Sequence, residues 1–140
     1  MSAPFEHTLR VRYGECDPQG IVFNANYVAW FDQAMVELWR EALGSWHVMA
    51  QRGGDMVVGE VNARFLAPAR ADELLTVRTS ILAIGNTSLQ VAVDILRDGE
   101  LLVEGRLRQV YLDGETWKPA RVPDWLRTAL EPYAVAEAPA

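Results

Sequence analysis

Asp17 is the residue in this chain best placed to do chemistry. It sits in YGECDPQGIVFNANY, Tyr13 to Tyr27, beside the single cysteine Cys16 and ahead of a helical pattern that begins near Asn24 or Asn26. Pro18 presets its own backbone angle and Gly20 accepts unusual ones, so together they make a turn that holds the carboxylate in place. The backbone from Ile21 to Asn26 then enters the helix, whose first four N–H groups have no partner inside it and carry partial positive charge. A fixed carboxylate beside such donors is what acyl transfer requires. The carboxylate serves as nucleophile or general base, and the N–H groups stabilise the carbonyl oxygen, each donor being worth about 2.7–4 kcal/mol of barrier. The plainer reading is that Asp-Pro-x-Gly is a common turn, and spacing alone leaves both open. Cys16 has no neighbouring His or Lys to activate it. Strand alternation also turns it away from the side Asp17 faces, which leaves Asp17 as the candidate.

Other chemistries lack their residues. There is no G-x-S-x-G elbow, no H-E-x-x-H pair and no glycine-rich phosphate or dinucleotide loop. The two histidines, His7 in a strand pattern and His47 after Trp46, read as structural. Metal and nicotinamide chemistry therefore drop out, and no cofactor is expected. The formal net charge of -6, without a basic cluster interleaved with aromatics, argues against nucleic acid or an anionic membrane as partner. One cysteine excludes an internal disulfide, no signal peptide is visible, and no apolar run reaches the roughly 18 residues of a membrane span. The expectation is a soluble, cytoplasmic protein. Its 140 residues suit one domain spanning 1–140.

The elements that must position Asp17 follow from periodicity. Phe5 to Tyr13 alternates as a strand with one buried face. Tyr27, Phe31, Ala34, Met35, Leu38, Trp39 and Ala42 recur at helical spacing until Gly44. Ser45 to Arg52 suits a short helical turn. Strands are expected over Met56–Phe65, Leu74–Ile84, Ser88–Leu96 and Glu100–Leu112, with Asp98-Gly99 as a two-residue hairpin turn. A short helix over Pro123–Leu130 precedes a tail, 134–140, expected to fray. Short links between strands imply antiparallel pairing, so the fold class is α+β: one antiparallel five-stranded sheet curled around a long central helix.

The run from Arg12 to Tyr27, continuing into Trp30-Phe31-Asp32, resembles the signature of the 4-hydroxybenzoyl-CoA thioesterase family. So do RFLAPARADELLTV at Arg64–Val77, IGNTSL at Ile84–Leu89, the Val110–Thr116 run and Pro123. The resemblance covers nearly the whole chain. It implies the hotdog fold, an acyl-CoA substrate and hydrolysis to carboxylate and CoA. It gives Asp17 the role of nucleophile or general base, and the backbone amides at Phe23 and Asn24 the oxyanion site. It also implies homodimers, or pairs of dimers forming a homotetramer, with the site at the subunit interface.

The candidate substrate contacts are Gly20, Asn26, Tyr27, Asp32, Glu60, Arg64 and Arg70. Arg64, Arg70 and Arg78 offer charge for the CoA phosphates, because the Gly85-Asn86-Thr87 loop lacks the basic residues that related proteins can carry there. Asn24, where an aromatic residue sometimes stands, and Asn26 are candidate helix caps. Two alternatives stay open: a non-catalytic acyl-CoA-binding protein on the same fold, and a hotdog hydratase or dehydratase. The absence of a histidine near the helix start counts against the second.

Overall fold

A computed structural model describes residues 2–135. In chain order the elements are β1 (Phe5–Arg10), a 3-10 turn (Tyr13–Glu15), α1 (Ala25–Leu43), α2 (Val48–Gln51), β2 (Gly54–Phe65), β3 (Leu74–Ile84), β4 (Ser88–Arg97), β5 (Glu100–Asp113), α3 (Asp124–Leu130) and a closing 3-10 turn (Glu131–Tyr133). The strands form one antiparallel sheet in the order β1-β3-β4-β5-β2. This is the sheet-around-helix architecture expected from the sequence.

The helix exists because its apolar residues fall on one stripe. Tyr27, Trp30, Phe31, Ala34, Met35, Leu38 and Trp39 are all buried, and Gly44 ends the helix at φ 85° with its N–H on the Arg40 carbonyl. The sheet meets that stripe with Leu75, Val77 and Ile81 of β3, Leu89, Val91, Val93 and Ile95 of β4, and Val103 and Leu107 of β5. Fully burying one such side chain is worth about 1.5–3 kcal/mol. Gly105 lets the helix come close, since a Cβ there would lie 2.6 Å from Phe31 Cζ and 2.6 Å from the Val93 carbonyl oxygen. Asp98 and Gly99 take φ 49° and 82°, the left-handed pair that a tight hairpin demands.

Three local expectations are corrected. β1 stops at Arg10, and the chain then winds into the 3-10 turn, so Tyr13 is 89% exposed instead of extending the buried face. β2 and β3 are consecutive but not neighbours: the link Leu66–Glu73 crosses three strand positions, about 14 Å. Ala134 bridges Ile81 and the Val135 N–H reaches the Ile81 carbonyl, so the tail is paired at its start. The remainder of the tail expected to fray lies outside the described residues.

That crossing link is anchored along its length. The Leu66 and Ala67 N–H groups donate to the Leu102 carbonyl, and Arg97 reaches the Pro68 carbonyl and both Glu73 carboxylate oxygens. The Ala69 carbonyl accepts the Val22 N–H at 2.9 Å. A link fastened in this way holds the segment that leads into α1.

Candidate active site

The Asp17 turn is a small closed unit. The Gly20 N–H donates to the Asp17 carbonyl and the Asp17 N–H to the Ile21 carbonyl, both at 2.9 Å, while Cys16 bridges Val22. Gly20 stands at φ 79°, a conformation that costs other residues energy. The carboxylate itself is held, since Asp17 Oδ1 accepts the Gln19 N–H at 2.8 Å. Because this segment is a turn and not a strand, alternation does not separate Cys16 from Asp17. Both border a cleft of about 440 Å³ with Tyr13, Pro18, Gly20 and Ala71.

Glu15 is the pivot between this turn and the helix. Its carboxylate accepts the Arg12 N–H at 2.7 Å and the buried Trp30 indole N–H at 3.0 Å. Its backbone carbonyl accepts the Phe23 N–H at 3.0 Å and the Asn26 side-chain amide at 2.7 Å. In the sequence Glu15 stands two residues before Asp17, and the local signal of this role is its offset of three from Arg12, which suits a side chain returning to the turn's first N–H.

These bonds correct the expected oxyanion pair. The Phe23 N–H is committed to Glu15, so it is not a free donor. Among the described residues the Asn24 and Ala25 N–H groups find no acceptor in the chain, while Asn26 and Tyr27 donate to the Phe23 and Asn24 carbonyls. Asn24 leads the helix yet makes no side-chain cap, because it already has helical angles (φ -55°, ψ -34°). Asn26 does not cap the helix either; its amide is tied to Glu15.

Asn24 borders a second cleft of about 380 Å³, with Ile21, Val22, Tyr27, Phe65, Leu66, Ala67 and Pro68. The side chains of its lining residues are apolar apart from those of Asn24 and Tyr27. Tyr27 is 3% exposed, packs edge-on against Trp30 and touches Phe65, and burial raises its phenol above the usual range. Gly20 borders the Asp17 cleft and Ile21 this one, so the turn is the partition between them.

The remaining candidates scatter. Asp32 borders a different hollow, near Trp39, Trp46 and Met56. Glu60 is exposed on β2 and pairs with Arg108 at 3.7 Å, beside a bulge, about 17 Å along the strand from Phe65. Arg64 neighbours Phe65 on β2, so alternation sends it to the face away from Tyr27, where it meets Glu104 at 3.6 Å. Glu60 and Arg64 are thus not gathered with Asp17 or Asn24. Arg70 lies in the crossing link one residue before Ala71, exposed, with its backbone N–H on Glu73. Arg78 is paired with Glu6 at 2.9 Å. Among the described residues no group of His, Cys, Asp and Glu is arranged to hold a metal ion, and no helix is long and apolar enough to cross a membrane.

A curled antiparallel sheet, a central helix and a carboxylate turn at the helix start define a hotdog-type domain. The model of the thioesterase-like superfamily matches residues 11–130, and the chain belongs to that family. It is a hydrolase. It is similar to the acyl-CoA thioester hydrolase YbgC of Escherichia coli, at 31% identity over 85% of this chain and 90% of that one. Over 51% of this chain and 53% of the relative, it is 37% identical to the 4-hydroxybenzoyl-CoA thioesterase of a Pseudomonas species. Among solved structures, a hypothetical protein of Thermus thermophilus superposes with a TM-score of 0.83 at 32% identity, covering 91% of this chain and 98% of that one.

Proposed function

We propose that the protein hydrolyses acyl-CoA thioesters to a carboxylic acid and free CoA, with Asp17 as nucleophile or general base and the Asn24 backbone N–H as oxyanion donor. One observation carries this reading: a hydrogen-bonded carboxylate and a residue with an unpartnered helix N–H border the clefts on the two sides of one hydrogen-bonded turn. The thioester lies across that turn, its acyl group in the apolar cleft of Tyr27, Phe65 and Leu66 and its CoA moiety on the Tyr13 side. The dipole of α1 and the Asn24 N–H favour negative charge on the carbonyl oxygen as it develops. Asp17 either attacks the carbonyl carbon or takes a proton from water that does. The first path gives an anhydride that water then opens; both end in carboxylate and thiol.

The proposed assembly is a homodimer, itself able to pair into a tetramer. β2 is a free edge of 12 residues that exposes Val58, Val61 and Phe65, and an unpaired edge of this kind is satisfied by a second copy. Joining there sets the partner beside Phe65, at the mouth of the apolar cleft.

The test is thiol release across a panel of aromatic, short and long acyl-CoAs, with Asp17→Asn as the control. Asparagine keeps an oxygen for the Gln19 N–H, so the fold should hold while kcat falls at least about 10³-fold, roughly 4 kcal/mol of barrier. Turnover by Asp17→Asn within tenfold of the wild type would remove Asp17 from the mechanism.

A further inference from the structure

The structure assigns a second binding region, the cleft between β1 and α1, to the phosphate-bearing nucleotide end of the substrate, with Arg12 and Arg70 as its anion-binding residues. The choice of CoA as the source of those phosphates rests on the proposed function.

Charge accounting singles out these two arginines. Among the described residues every other arginine is engaged: Arg10, Arg40, Arg64, Arg78, Arg97, Arg106, Arg108 and Arg121 by carboxylates, Arg127 by carbonyls, and Arg52 by the ring of Trp125. The side chains of Arg12 and Arg70 are exposed and have no such partner among the described residues. In a chain of net charge -6, the lining of one groove is balanced, with Arg10 and Arg12 set against Glu15 and Asp72, and Arg70 stands one residue beyond its lining residue Ala71. Guanidinium is also the side chain whose paired N–H groups match phosphate oxygens.

Geometry places them on the substrate's path. Arg12 lines a cleft of about 920 Å³ bounded by β1 on one side and by Asn26, Trp30 and Gln33 of α1 on the other. Tyr13 and Ala71 border both this cleft and the one holding Asp17, so the two adjoin, and Arg70, outside both linings, directly precedes Ala71. The carboxylates in the cleft have partners of their own: Glu15 takes the Arg12 and Trp30 N–H groups, and Asp72 pairs with Arg10. Tyr13, 89% exposed at the junction, offers an aromatic face on which a purine can stack. Of the arginines expected to meet phosphates, Arg64 and Arg78 are spent on Glu104 and Glu6, so the anion site moves to the β1 side of the turn.

The experiment compares the wild type with Arg12→Gln, Arg70→Gln and the double variant, each checked for an unchanged urea midpoint. Binding of adenosine 3′,5′-bisphosphate is measured by calorimetry. Kinetics are measured with an acyl-CoA and with the same acyl group on N-acetylcysteamine, which lacks the nucleotide. Each substitution is expected to weaken bisphosphate binding and raise KM for acyl-CoA by about tenfold. kcat, and kcat/KM for the truncated thioester, should stay within about twofold. Wild-type protein that does not bind the bisphosphate, or a double variant with unchanged affinity and unchanged KM, overturns the inference. A protein that binds the bisphosphate through these arginines but cleaves neither thioester overturns the proposed function and leaves this site standing.

Discussion

Glu15→Ala should loosen the site from behind. The Trp30 indole N–H, on a residue 4% exposed, would lose its acceptor at 3.0 Å, and a buried donor left unpaired costs about 1–3 kcal/mol. The Arg12 N–H, held at 2.7 Å, belongs to an exposed residue, so water replaces the carboxylate there at a cost of about 0.5 kcal/mol. The total, about 1.5–3.5 kcal/mol, lowers the urea midpoint by about 0.8–1.8 M at a slope near 2 kcal/mol/M. Glu15→Gln keeps one oxygen acceptor and should lose about half as much. Because the Glu15 carboxylate ties the turn to Trp30 of α1, the alanine variant should also lose about 10²-fold in kcat, the scale of a misplacement of about 1 Å. Urea titration followed by tryptophan fluorescence, paired with thiol release in native buffer, reads both effects. An alanine variant whose midpoint lies within about 0.2 M of the wild type would refute the reasoning.

Gly105→Ala places a methyl group against Phe31 and the Val93 backbone, neither of which has room to withdraw; thermal melting should show a loss of about 1–3 kcal/mol, or a failure to fold. His7 packs with Phe5, both its ring nitrogens lack partners among the described residues, and burial lowers its pKa below 6.5 while the nearby Glu37 acts in the opposite sense. The unfolded chain thus takes up that proton first, so His7's stability contribution is complete above pH 6.5 and drains away as pH falls below it. His7→Phe should flatten that part of the stability–pH curve, measured by urea midpoints from pH 7 downward. Val61→Lys, on the β2 edge, should halve the mass seen by light scattering; an unchanged mass would move the dimer contact elsewhere.

Periodicity located the elements because burial here is one-sided. The stripe from Tyr27 to Trp39 and the alternation from Leu75 to Ile81 each needed only local spacing. What local spacing could not reveal is where hydrogen bonds go between distant segments. The Phe23 N–H looks free in any reading of α1 alone, and it is the Glu15 carbonyl, eight residues earlier, that takes it. Nor does spacing reveal that β2 and β3 lie three positions apart, because a link of eight residues fits a wide hairpin as well as a crossover. Arg64 shows the same limit: its position beside Phe65 is visible in the sequence, whereas the Glu104 that occupies it belongs to another strand.

The fastening of the crossing link has a consequence for how substrate preference can change. Leu66, Ala67 and Pro68 wall the apolar cleft, yet the link is tied down through backbone groups and through the Arg97–Glu73 pair, not through those three side chains. The Asp17 turn and Asn24 belong to a different stretch of chain. Under the proposed function, the shape of the acyl compartment can therefore drift by substitution at Leu66 and Pro68 while the bond-breaking groups keep their places. One scaffold can serve many acyl groups without rebuilding its chemistry.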